Sequence, residues 1–318
     1  MADTQFELES DSPAKPDMMF WQLAGVESFS RPSRFMLTVL SRNRQIKPDD
    51  VLGKSFTVKL EFHDEGGGAH KRQYQGHAMR MRRVGDANER LCLYHIELDS
   101  WFSLLQHRTN ARIFQEKKLD EVIKEVMQDS NIRTVENIDY AGLREAHDPH
   151  RYCVQYLESD FAFLSRLMEH EGVYYWFDNA GSGDGKKMML ADNVSVHEKL
   201  PVESELKYVV EKTSGEGRFN EVEEWWSERA VQSGRMELVD RDFKKIRSKI
   251  GHKVDFAAPH DHADYEVFEF PGGFFDKDGA QRTAELRADE RTARNEACWA
   301  ATRWPDVTAI ARILPLSM

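Results

Sequence analysis

Cysteine is scarce in this chain: Cys92, Cys153 and Cys298 are the only three in 318 residues. Their number is odd, they lie far apart, and none forms a C-x-x-C pair. A disulfide framework and a cysteine-rich zinc site are therefore not expected, and a reducing compartment is. Long apolar runs are missing too. No stretch approaches the roughly 18 residues of a membrane span, and the mean hydropathy is −0.65. The first residues carry Asp3, Glu7, Glu9, Asp11 and Asp17 in place of the basic start and apolar stretch of a secretory signal. Gly (19) and Pro (10) are too few for a linker or a collagen-like chain. An excess of positive charge is also lacking: 44 Lys and Arg stand against 55 Asp and Glu, a net charge of −11. Nucleic acid and anionic lipid both demand clustered cations, so neither a nucleic-acid partner nor stable membrane insertion is expected. No Walker loop, dinucleotide fingerprint, nucleophile elbow or H-E-x-x-H motif occurs.

What is present is a foldable composition, 40% hydrophobic and 11% aromatic. A chain of this length can bury about 75% of its unfolded surface, so a core needs neither metal nor disulfides. Residues 1–19 read as a loose acidic arm. From 20 to 100 the signal is strands. Phe35, Leu37 and Val39 share one face, and Phe56, Val58, Leu60 and Phe62 repeat with period two. Five strands with short turns predict an antiparallel barrel or sandwich. Residues 101–200 change to α+β. Leu119, Val122, Ile123, Val126 and Met127 form one helix face. Ser159 stands as the N-cap of a second helix striped with Phe161, Leu164, Leu167 and Met168, and Gly172 stands at its end. Residues 201–294 return to strands around 222–227, 235–240 and 265–270, closed by an Ala-, Arg- and Glu-rich helix from 278 to 294. The fold class expected is α+β, mainly antiparallel β: two β-barrel-like domains about a central α+β domain.

Several residues invite a chemical reading. His260-Asp261-His262, with Asp255 and Asp264 nearby, has the look of a metal site, yet a loop after Pro259 is the simpler account. Asp276-Lys277-Asp278-Gly279 starts like a calcium loop, but Ala280 and Arg282 stand where oxygen ligands are needed, so a helix-capping turn is expected. Glu223 with Glu224, and Glu169 with Glu171, resemble a glycosidase pair but read better as solvated carboxylates. Cys153 lies in an apolar strand and reads as a small buried residue. Arg80, Arg82, Arg83 and Arg90 form a basic cluster, either a solvated strand face or a contact for an acidic partner surface or another subunit. Trp225-Trp226 on a strand puts one ring inward and one outward. An outward Trp on so polar a chain hints at a second surface covering it.

The run Arg151-Tyr152-Cys153-Val154-Gln155-Tyr156, then Glu158-Ser159-Asp160-Phe161, Leu164-Ser165-Arg166-Leu167-Met168 and Glu169-His170-Glu171-Gly172-Val173-Tyr174-Tyr175, closely resembles the signature block of VgrG proteins, the spikes of type VI secretion systems. Trp101 with Leu104-Leu105, and Ala111-Arg112-Ile113-Phe114-Gln115, resemble the stretch before that family's first central helix. Phe29-Ser30-Arg31-Pro32, Leu52-Gly53, Leu190-Ala191-Asp192, Asp240-Arg241-Asp242-Phe243 and Phe270-Pro271-Gly272-Gly273 match further segments in order. The resemblance covers about residues 20–294. It implies a phage tail hub-like fold, a homotrimer whose six barrels ring a tube, and docking on the Hcp hexamer and baseplate components, with effector cargo possible. It implies cytoplasmic assembly and export by the machine itself. It carries no catalytic residue, cofactor or metal, so no enzyme is expected. Residues 295–318 depart from the family's continuation, which suggests a truncated or frameshifted frame. Two other readings stay open: the hub of a phage or phage-derived tail, and a metal-dependent hydrolase built on His260 and His262.

Overall fold

The computed structural model describes residues 5–63, 68–130, 138–144, 147–179, 186–197, 207–209, 221–242, 248–256, 260–293 and 295–302. The turns expected at 64–67 and 181–185, together with Phe243, Pro259, Arg294 and everything beyond Thr302, lie outside the described residues. The chain divides into two compact units, residues 1–204 and residues 205–304.

The first unit opens with a six-stranded antiparallel sheet: β1 (Gln5–Ser10), β2 (Met19–Val26), β3 (Arg34–Ser41), β4 (Ser55–His63), β5 (Ala69–Asp86) and β6 (Cys92–Asp99). Its order is β1-β4-β5-β6-β3-β2. The edge strands β1 and β2 meet again through Phe6 and Phe20, whose rings stack at 4.9 Å, so the sheet curls toward a barrel. The period-two strands behave as their sequence dictates. Phe56, Val58, Leu60 and Phe62 of β4 are buried, as are Phe35, Leu37 and Val39 of β3. Each such side chain contributes about 1.5–3 kcal/mol relative to exposure.

One expectation fails here. The supposed loose arm contains β1, which pairs with β4 from Gln5↔Glu61 to Ser10↔Phe56. Leu8 supplies the buried contact, and Glu9 meets Lys59 at 2.5 Å. Glu7 and Glu9, which argue for solvent, are the outward face of an edge strand.

The rest of the first unit is α+β and has its own core. It comprises β7 (Thr109–Phe114), α1 (Leu119–Asp129), β8 (Ile138–Gly142), β9 (Cys153–Ser159), α2 (Asp160–His170), β10 (Tyr174–Phe177) and β11 (Met188–Ala191). Strands β10, β11 and β8 form one sheet and β7 pairs with β9. All five apolar residues predicted for α1 are buried. In α2 the buried set is Phe163, Leu164, Leu167 and Met168, while Phe161 is half-buried. Ser159 caps α2 by accepting from Ala162 N–H at 3.1 Å. Gly172 (φ 72°) closes it, with Val173 N–H donating to Met168 O at 2.8 Å.

Contacts from the β2–β3 loop join this core to the curled sheet. Ser30 N–H donates to Tyr175 O at 2.8 Å, and Phe29 packs edge-on against Tyr174 and Trp176. Glu27 accepts from both Arg72 of β5 and Asn179 beyond β10.

The second unit contains β12 (Lys207–Tyr208), β13 (Glu221–Arg229), β14 (Arg235–Arg241), β15 (Lys249–Asp255), β16 (Glu266–Glu269), α3 (Lys277–Ala293) and β17 (Glu296–Thr302). Its sheets run β12-β13-β17 and β15-β14-β16. Ala280 and Ala284 of α3 pack with Met236, Leu238, Ile250 and Phe274; small side chains bring the helix close to the sheet. Gly251 fits the close pairing of β15 with β14, because a Cβ there would lie 2.7 Å from Leu238 O. Residues 296–302, expected as an atypical tail, form β17 and pair with β13 over Val222–Arg229.

Candidate functional site

The signature block is held by ionic networks. β9 leads into α2 at Asp160, whose side chain is 0% exposed. A buried carboxylate needs cations and donors around it. Arg112 of β7 donates to Asp160, Gln155 Nε2 donates to the same oxygen at 2.8 Å, and Arg108 Nε lies 3.6 Å from the other. Arg112 also reaches Gln155 Oε1 and Asp129 Oδ2, both at 2.9 Å. The β7–β9 ribbon is thereby fastened to the start of α2 and to the end of α1. Arg166 of α2 makes a second fastening, donating to Glu158 and to Val154 O at 2.6 Å each.

A third network gathers at the C-terminal end of α2. Glu171 Oε2 lies 3.1 Å from His147 Nδ1, and Glu171 Oε1 lies 3.3 Å from His150 Nε2. The other nitrogen of His147 is 3.1 Å from Asp192 Oδ2, just past β11. Asp192 also accepts from Arg144 N–H at 3.0 Å. The hydrogen bond to Glu171 raises the His147 pKa above the ordinary histidine value; burial opposes this, and Asp192 adds to it. For Glu171, burial is the largest single influence and raises the pKa. The His147 hydrogen bond and the charges of His150, His170 and His147 together outweigh it, and the pKa falls below the ordinary glutamate value.

Sequence reasoning singled out Glu171 as one of a carboxylate pair, but Glu169 is not its partner in this network. It missed His147 and His150, and found Asp192 only as part of the family resemblance. No spacing rule joins a loop histidine to residues 24 and 45 positions away.

The remaining candidates are placed as follows. His260 Nδ1 donates to Asp261 O at 2.8 Å and its Nε2 accepts from Gln232 N–H at 3.1 Å, so both ring nitrogens serve the backbone. His262, at φ 68°, stacks on Tyr265. Among the described residues, no group of three or more His, Cys, Asp or Glu has a metal-holding arrangement. Asp276 Oδ1 accepts from Gly279 N–H at 2.8 Å and caps α3, which is the turn reading of that sequence. Glu223 sits at the bulge of β13, beside Glu224. Cys153 is buried, and burial pushes its thiol pKa up. Arg80 approaches Glu97 at 3.7 Å, Arg82 meets His95 at 3.1 Å, and Arg83 meets Asp86 at 2.6 Å. These three arginines and Arg90 are all exposed.

Trp225 is half-buried, whereas Trp226 is 49% exposed. Trp226 stacks at 6.3 Å on Trp299 of β17, itself 51% exposed. A second exposed aromatic set, Tyr265, Phe268, Phe270 and Phe275, lies at and after β16. Surfaces of this kind favour contact with another macromolecule over small-molecule chemistry.

Comparison with known proteins agrees with that character. The family described as phage tail baseplate hub (GPD) matches residues 26–317. The type VI secretion system spike protein VgrG1b of Pseudomonas aeruginosa is 30% identical over 287 residues, 90% of this chain and 37% of that protein. The spike protein VgrG1a of the same organism is 28% identical over 292 residues, 91% and 43% respectively. The chain thus spans about two fifths of the length of these curated relatives. Among solved structures, the 43 kDa tail protein of prophage MuSo2 from Shewanella oneidensis superposes with a TM-score of 0.60 at 11% identity, covering 93% of this chain and 81% of its own. An Escherichia coli component of the type VI secretion system, described as similar to the T4 tail proteins gp27 and gp5, gives 0.52 at 16% identity over 71% and 56%. These two likenesses establish the fold as that of tail hub proteins.

Proposed function

The chain belongs to the phage tail baseplate hub family, and from that premise we propose that it is the hub of a type VI secretion spike, a non-enzymatic part that trimerises, docks on the Hcp tube and is expelled with it carrying effectors. The observation that carries the reading is its likeness to VgrG spike proteins across nine tenths of its length. The uncovered Trp226–Trp299 stack supports a subunit contact, since paired tryptophans at a protein surface are typical anchors of an interface. On this reading the protein assembles in the cytoplasm and leaves the cell through the machine.

Light scattering after size exclusion tests the assembly step. A mass three times the 36.9 kDa of the chain is expected, together with co-elution with purified Hcp. A monomer at high concentration that also ignores Hcp overturns the proposal. The tail-protein likeness supports a second reading, the hub of a phage-derived tail. Neighbouring sheath ATPase and membrane-complex genes favour secretion; neighbouring head genes favour the phage.

A further inference from the structure

His147 faces a carboxylate on each side. Its Nδ1 lies 3.1 Å from Glu171 Oε2 and its Nε2 lies 3.1 Å from Asp192 Oδ2. A neutral imidazole owns one N–H, so it can donate to only one of these oxygens and must turn a lone pair toward the other. Only the imidazolium satisfies both. The ring is also shielded: His147, Glu171 and Asp192 side chains are 13%, 19% and 2% exposed. Water cannot readily replace the lost bond at Asp192.

We infer that His147 is a proton-operated clamp that ties the approach to β9 onto the ends of α2 and β11 while the ring is charged, and releases one of the two carboxylates when the proton leaves.

The neighbouring groups favour this assignment. From the same segment come His150, 3.3 Å from Glu171, and Arg144, which spends its guanidinium on Ser195 and its N–H on Asp192. The end of α2 contributes His170, whose charge acts on Glu171. β10 contributes Tyr174, whose phenol is held neutral by burial and by Asp192. β9 contributes Cys153, a buried thiol. Asp148, Arg151 and Glu169 flank the site and have partners of their own. The raised pKa of His147 agrees with the geometry.

The clamp matters beyond its own loop. His150 N–H bonds Lys117 O at 2.9 Å, and β9 presents exposed Tyr156 and Leu157 after exposed Tyr152. Releasing the clamp therefore loosens the anchorage of an apolar surface within the signature block. The inference stands whether or not the chain is a trimer.

Hydrogen–deuterium exchange on the full chain tests it, read at the histidine C2 position and at the amides in the same samples. Cleavage before Asp148 separates His147 from His150. In the wild type, His147 is expected to titrate above 6.5, and to move down in Glu171→Gln and in Asp192→Asn. The opening constant of amides 147–156, corrected for intrinsic exchange, is expected to rise by about tenfold per pH unit above 6.5 until the clamped ring's own pKa is passed. It should be flat in His147→Gln. Should that variant not fold, Glu171→Gln serves, with the rise still beginning near 6.5 but ending at lower pH and so reduced in size. A wild-type His147 titrating at or below 6.5, or amides indifferent to its titration, overturns the clamp.

Discussion

Replacing Glu27 by Ala probes how the two cores of the first unit are held together. Arg72 is 3% exposed and its guanidinium donates to Glu27, which is 15% exposed. Tyr74 lies against the same guanidinium, 4.7 Å from the ring centre, and contributes a weaker cation–π attraction. The other Glu27 oxygen accepts from Asn179, 1% exposed, across the junction with the α+β layer. Removing one partner of a buried pair costs up to about 3–5 kcal/mol, because the remaining charge stays desolvated and keeps only its other contacts. In a unit of this size that is a fall of roughly 6–20 °C in Tm. Urea unfolding followed by tryptophan fluorescence reads the loss, since Trp101 and Trp176 are buried in this unit. The double variant Glu27→Leu/Arg72→Met removes both charges and should recover most of the stability. If Glu27→Ala costs less than about 1 kcal/mol, or the double variant is worse than the single, the buried charge is not what that junction depends on.

Three further outcomes are expected. The Glu171–His147 contact should contribute most between pH 4.5 and 6.5. A lowered carboxylate pKa stabilises above its unfolded value and loses that as pH falls; a raised histidine pKa stabilises below its unfolded value and loses that as pH rises. Wild type minus His147→Gln stability, measured across pH, should show this window. Ser159→Ala removes the α2 cap and should cost about 1 kcal/mol by urea denaturation, with Ser159→Gly costing less. Trp226→Ser with Trp299→Ser should cost the monomer at least about 0.5–1.5 kcal/mol for the lost ring pair, and should lower the trimer fraction seen by light scattering at a given concentration.

What could be read from the sequence follows from where one face is buried and the other is not. β3, β4 and α1 each press a single apolar face onto a core, so their periodicity survives in the sequence. β1 escaped notice because an edge strand has little to bury: Leu8 is its one buried residue. β17 escaped because none of its residues is fully buried, and Ala297, Trp299 and Ala301 alternate with residues no more polar than Cys298 and Ala300. The networks were hidden for another reason. Asp160, Arg112 and Gln155 come from β7, β9 and α2, and His147, Glu171 and Asp192 from three separate segments. Their chemistry depends on burial and approach, which a linear pattern does not encode. The family resemblance, by contrast, ran through Asp160, Glu171 and Asp192 before their roles were visible.

The net charge of −11 takes on a more definite meaning once its placement is known. Inside the first unit, the buried or nearly buried carboxylates Glu27, Asp99, Asp160 and Asp192 each face a cationic or potentially cationic side chain. That acidity is compensated where desolvation would punish it. In the second unit, Glu224 and Glu228 are both exposed and share by alternation the face of β13 that bears Trp226. Were that face to pack on the same face of another copy, as a two-fold interface requires, four carboxylates would be driven together beside the tryptophans. A head-to-tail contact places the face against a different surface of the next subunit and avoids the clash, and contacts of that kind close into rings with three-fold and higher symmetry. Arg80 and Arg82 are exposed cations of β5 that would meet such a face with the opposite charge. The same acidity that argued against nucleic acid thus disfavours, through its position around Trp226, a contact of that face with its own copy.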